Sequence, residues 1–148
     1  MITDTTQLVN DTFYKCFFSL YEIGTNKKVD FNFLLMRLLK WPEKARKYCD
    51  FSSFGGEEWC NLLLKCYWFD DLCNYDLLTS ELWSKLLRTR PQYGMLCPWE
   101  KMDCFDLCQL LIKQPMFARM VDLSNIINEH DWNYILQYRP ALAVYKPK

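Results

Sequence analysis

Apolar residues recur along this chain with a period close to 24 positions. Trp59, Leu62 and Leu63 form one block; Trp83, Leu86 and Leu87, then Leu107, Leu110 and Leu111, then Trp132, Ile135 and Leu136 form three more, their anchors 24, 24 and 25 residues apart. Residues at i, i+3 and i+4 share one helix face, so each block predicts a short amphipathic helix. Tyr67, Pro91, Pro115 or Pro140 stands eight positions after each anchor, and Phe69, Tyr93, Phe117 or Leu142 two positions further on. Proline lacks the N–H needed to continue a helix but is well suited to begin one. Each copy therefore reads as two short helices and a turn.

The register extends upstream to Leu35, Leu38 and Leu39, with Pro42 one residue early. Cys49, Cys73, Cys97 and Val121 follow at the same spacing, as do Phe51, Tyr75, Trp99 and Leu123. Ser80 and Asn128 are the expected N-caps of two first helices. Tyr93 and Cys97 are expected at i, i+4 of a second helix. One copy cannot cover its own apolar face and stacked neighbours can, so the predicted fold is an all-α solenoid of two-helix repeats. Thr5 to Tyr21 has helical spacing but no repeat signature, with Leu8, Phe13, Cys16, Phe17 and Leu20 apolar and Gly24 as a stop. We read residues 1–32 as an N-terminal capping helix and 33–148 as five tandem repeats, forming one compact domain with the cap.

The spacing W-x-x-L-L-x-x-x-P-x-F/Y-x-x-x-C-x-W, over about residues 33 to 145, resembles the tandem tryptophan-, leucine- and proline-containing repeats of bacterial and phage proteins. Leu35 and Leu107 depart from it at the anchor, and Tyr67 departs from it at the proline. The resemblance implies a stacked helical fold with a binding role and brings no activity with it.

Composition narrows the function classes. With 51% hydrophobic residues the chain can fill a core. Its 18 basic and 18 acidic side chains leave no net charge, which disfavours binding that works by neutralising phosphates. The start has no basic and apolar leader, and no apolar run approaches the ~20 residues of a membrane span, so a cytoplasmic protein is expected. Eight cysteines without such a leader are expected as free thiols. Cys104 and Cys108 could share a metal at i, i+4, but further ligands are lacking, and no metal or cofactor is expected. Catalysis is not expected either. His130 is the single histidine and reads as a surface residue in a turn, and the four glycines make no phosphate loop.

The residues that break the pattern are the candidate binding residues. Trp41 and Tyr138 fall where other copies place Lys65, Thr89 and Lys113, and Trp68 falls where they place Gln92 and Met116. Exposed tryptophan and tyrosine are enriched among binding hot spots. Charge is also segregated: residues 33–56, with Lys44, Arg46 and Lys47, carry net +3, whereas 57–80, with Asp70 and Asp71, carry net −4. The two segments could attract one another or present two patches to a partner. The expectation is a non-enzymatic protein-interaction module. It would dock through Trp41, Trp68, Tyr138, Lys44, Arg46, Lys47, Asp70 and Asp71 and occlude or bridge a partner protein, as a small phage or mobile-element inhibitor of a host defence enzyme does. The alternative is a nucleic-acid-contacting helical repeat using Lys40, Lys44, Arg46 and Lys47 around Trp41.

Overall fold

Aliphatic pairs at helical spacing, each followed by a residue that starts a new helix, set the element order. In the computed structural model, which describes residues 4–22, 24–123 and 128–147, the protein is all-α. Its α-helices are α1 (Asp4–Phe17), α2 (Phe31–Lys40), α3 (Pro42–Tyr48), α4 (Gly56–Lys65), α5 (Ser80–Thr89), α6 (Cys104–Lys113) and α7 (Glu129–Tyr138). Among the described residues there is no strand, only an isolated antiparallel bridge between Tyr21 and Lys28. The residues read at the start for a leader, 1–3, and part of the stretch before the last copy, 124–127, lie outside the described residues.

The ten-residue helices α2, α4, α5, α6 and α7 each end on a single hinge residue, Trp41, Cys66, Arg90, Gln114 or Arg139. All five hinges have φ between −134° and −122° and ψ between 64° and 76°. A second helix starts at the next residue: α3, or a 3-10 helix at Tyr67–Leu72, Pro91–Leu96, Pro115–Arg119 or Pro140–Tyr145. The second helices were expected to place Tyr93 and Cys97 on one helical face. Instead Pro91–Leu96 is 3-10, and Cys97 is its extended C-cap.

Pro42 arrives early for a related reason. The first copy's second helix is a seven-residue α-helix, whereas the others are 3-10 helices of five or six residues. A turn of α-helix takes 3.6 residues against 3.0 for 3-10, so the extra residue is absorbed there and the register recovers at Cys49. The first anchor is accordingly Leu34, which is buried together with Leu35 and Leu38, while Leu39 is exposed. Trp41 thus corresponds to the hinge residues and not to Lys65, Thr89 and Lys113.

The chain divides into two compact units, Met1–Cys73 and Asn74–Lys148. In the first, α1 and α2 pack on α3, and α4 packs on Tyr67–Leu72. Phe51 stacks on the anchor Trp59 at 5.7 Å between ring centroids and lies 5.4 Å from Phe69. The helix expected over Thr5 to Tyr21 ends at Phe17, and it leaves Leu8 and Phe13 exposed where the spacing had suggested a core face. Phe18 and Leu20, just beyond it, are the buried residues. Gly24, with φ of 69°, sits in the turn closed by the Tyr21–Lys28 bridge and does not stop the helix.

In the second unit α6 packs against both α5 and α7. Tyr75 stacks on Trp83 at 5.9 Å and meets Tyr93 at 6.1 Å, repeating the arrangement of Phe51, Trp59 and Phe69. Gln114 donates from Nε2 to the Arg88 carbonyl at 2.9 Å, and Arg139 donates from Nε to the Ile112 carbonyl at 2.7 Å. These two hinge side chains thereby satisfy carbonyls left over at the end of the α-helix one copy earlier. The expected cap Ser80 is instead the first helical residue of α5. Thr79 caps that helix, accepting from the Leu82 N–H, which frees the Ser80 hydroxyl to accept from the Asp103 N–H at 2.8 Å. Asn128 caps α7 as expected, accepting from the Asp131 N–H at 2.9 Å.

Candidate functional site

Trp41 is held by its hinge position between α2 and α3, where its indole meets the Phe17 ring of α1 edge-on at 5.3 Å. It remains 40% exposed. Tyr48 fixes α1 against α3 by stacking on Tyr14 at 5.0 Å and donating its hydroxyl to Asp11 Oδ1 at 2.8 Å. That hydrogen bond, helped by Lys47 and Lys15, holds the Asp11 carboxyl below the usual aspartate range. Phe13, Tyr14, Phe17, Trp41 and Lys44 together line a concave pocket of about 290 Å³.

Cations stand over the ring faces of this cluster. The Arg37 guanidinium lies 4.4 Å from the Phe17 centroid and donates to the Phe17 carbonyl at 3.0 Å. Lys40 Nζ lies 4.9 Å from the Trp41 centroid. Lys44 Nζ lies 3.9 Å from the Tyr14 centroid and donates to Tyr14 Oη at 2.7 Å. Lys47 Nζ stands 5.1 Å from the Tyr48 centroid.

Trp68 occupies the second helix after α4 and is 42% exposed, beside Tyr67 at 5.4 Å. Its carbonyl accepts from Arg46 Nη1 at 3.3 Å, and the same guanidinium clamps Asp71 through both carboxylate oxygens. This clamp holds the Asp71 carboxyl below its ordinary value. It also joins the basic and acidic segments at one point, as the simpler reading of their charges required. Asp70, beside Asp71, is half-buried. Tyr138 belongs to the second unit, at the end of α7, where it is 57% exposed and packs edge-on against Tyr134 at 5.4 Å.

Of the expected residues, Trp41 and Lys44 therefore share one pocket, and Arg46 links Asp71 to the backbone of Trp68. Phe13, Tyr14 and Phe17 were missed as site residues. Their spacing on α1 was the available signal, but a helical aromatic face reads first as a core face.

Other chemically capable groups lie apart from this pocket. Burial pushes the Cys49, Cys73, Cys97 and Cys108 thiols up to about 12 and that of Cys66 up to about 11. A thiol so hard to ionise is a poor nucleophile near neutral pH. Of the three equivalent cysteines, only Cys97 is fully buried, while Cys49 and Cys73 are half-buried. His130 is exposed, in the first turn of α7 and not in a turn between helices. Among the described residues no three histidine, cysteine, aspartate or glutamate side chains are placed to share a metal ion. None of the described helices is long and apolar enough to cross a membrane. No family model, curated protein or solved structure matches this chain.

Proposed function

We propose that this chain is a non-enzymatic protein-interaction module, a short helical solenoid that docks on a partner protein through an aromatic and charged face including Trp41 and Trp68. The observation that carries this reading is a division among the large aromatics. The anchor tryptophans Trp59, Trp83 and Trp132 and the rings of Phe69 and Phe117 are no more than 1% exposed, whereas Trp41 and Trp68 are 40% and 42% exposed, and Tyr67, at the proline position, is 49% exposed. A large aromatic kept half in water without a packing requirement suits a hot spot, where burial by a partner recovers its apolar area. The recurring helix–hinge–helix order supports the solenoid. The raised thiols of Cys49, Cys66, Cys73, Cys97 and Cys108 favour a binding role over nucleophilic catalysis by these residues. Docking of this kind acts by occlusion or bridging, the mode of a small phage or mobile-element inhibitor of a host defence enzyme.

Affinity capture from cells of the natural source, followed by mass spectrometry, tests the proposal. A partner protein should be retained by the wild-type chain and lost with the Trp41→Ala/Trp68→Ala double variant, whose helical circular dichroism should be unchanged. Identical retention by both chains would contradict it. The clustering of Lys40 and Lys44 at Trp41 favours nucleic acid as the second reading. Strong retention on heparin at low salt, with nuclease-sensitive captured material, would favour that reading instead.

A further inference from the structure

The pocket between α1 and α3 is specific enough to indicate what it holds. We propose that it receives one apolar side chain from an acidic segment of the partner protein, whose carboxylates are met by Arg37, Lys40 and Lys44. This deepens the protein-docking reading and rests on it.

Shape is the first argument. The walls are the rings of Phe13, Tyr14, Phe17 and Trp41, and the volume is about 290 Å³. That is the bottom of the ~300–1,000 Å³ range of small-molecule sites, so a single large side chain suits it better than a cofactor. Phe13 is 59% exposed, which leaves the rim open to an incoming chain.

Charge is the second. No carboxylate lines the pocket. Among the other cations of this unit, Arg46 is clamped to Asp71, Lys28 is paired with Glu58, and Lys15 and Lys47 lower the Asp11 carboxyl. Arg37, Lys40 and Lys44 form no ion pair among the described residues. Glu43, the acidic neighbour of Lys44 in sequence, is exposed and does not line the pocket. Arg37 and Lys44 each use one polar contact within the chain, and a guanidinium has five N–H donors and an ammonium three. Donors therefore remain for carboxylates, and the positive charge is concentrated at this pocket's edge.

The third argument separates a peptide from a nucleic acid. Binding of single strands relies on open aromatic faces on which bases stack. Here Lys44, Lys40 and Arg37 already stand over faces of Tyr14, Trp41 and Phe17. What remains is a concave apolar surface with cations around it, which suits an apolar side chain entering beside acidic neighbours.

The test selects displayed random peptides on the full chain and measures binding of the best synthetic peptide by fluorescence anisotropy. Enriched sequences should carry a large apolar residue flanked by aspartate or glutamate. Trp41→Ala should weaken binding about thirtyfold, as loss of a central aromatic does. Lys44→Glu, at an exposed position whose only polar contact among the described residues is with Tyr14, should weaken it by about tenfold and flatten its salt dependence. Replacing the peptide's acidic residues by lysine should restore binding to Lys44→Glu. Trp68→Ala should have the smaller effect. Enrichment of basic or neutral peptides, indifference to Lys44→Glu, or competition by oligo(dT) at Trp41 would overturn the acidic-segment assignment. Acidic peptides that depend on Trp68 alone would sink the pocket and leave the docking surface standing. No enriched peptide, together with no partner lost on the Trp41→Ala/Trp68→Ala change, would remove both.

Discussion

The anchor residues show how strongly a single position can be constrained. Trp83 is 1% exposed, stacked on Tyr75 and set in the row formed with Leu86 and Leu87. Trp83→Ala should destabilise by roughly 3–5 kcal/mol in urea unfolding, the usual cost of emptying a large core site. Its indole N–H is buried and finds no acceptor among the described residues, as is also true of Trp132. An unsatisfied buried donor weakens the native state by about 1–3 kcal/mol. Trp83→Phe removes that donor while keeping a ring, so it should cost well under half as much as Trp83→Ala. Equal losses for the two variants would mean that the ring does not pack as described.

Helices meet through the residues that follow each hinge. Gly94 shows the tolerance: a Cβ placed there would lie 2.6 Å from Cε1 of Phe117, a ring that is itself buried against Trp99. Gly94→Ala should therefore destabilise by roughly 1–3 kcal/mol by overpacking, although alanine is the better helix former. A gain in melting temperature would contradict this contact. At this scale the sequence was legible where chemistry is local. The i, i+3, i+4 blocks found the first helices, proline found the second ones, and Asn128 was read as a cap. The 3-10 character of the second helices was not legible, because five or six residues make too few turns for the two periods to differ. Ser80 was misread because Thr79 and Ser80 are both able caps, and only the neighbouring Asp103 N–H decides between them. The α1 aromatics were misread because periodicity marks which residues share a face but does not reveal whether anything covers it.

Over the whole molecule, charge is balanced in number but organised in contacts. Glu58 shows the consequence for pH. Burial alone would raise its carboxyl, but Lys28 at 3.1 Å and the Gly55 N–H outweigh that and hold it below the ordinary 4.5. A carboxyl depressed by folding adds stability above its unfolded pKa, and that stability is lost as pH falls through the folded value. Asp11 and Asp71 are shifted in the same direction. Acid should thus weaken the protein progressively as pH falls below the ordinary carboxylate range, and Glu58→Gln, which cannot titrate, should show a smaller loss there. Identical acid profiles would show that the Lys28 pair adds nothing to the fold. On the proposed reading the aromatics have two jobs: the anchor tryptophans with Phe69 and Phe117 hold the helices together, and Trp41 and Trp68 face outward to be covered by a partner. The most direct test is the pair of melting temperatures of Trp59→Ala and Trp68→Ala against the wild-type chain. Trp59→Ala should melt roughly 6–20 °C lower, and Trp68→Ala within about 2 °C of wild type. If Trp68→Ala falls as far as Trp59→Ala, Trp68 is a core residue and the outward-facing class does not exist.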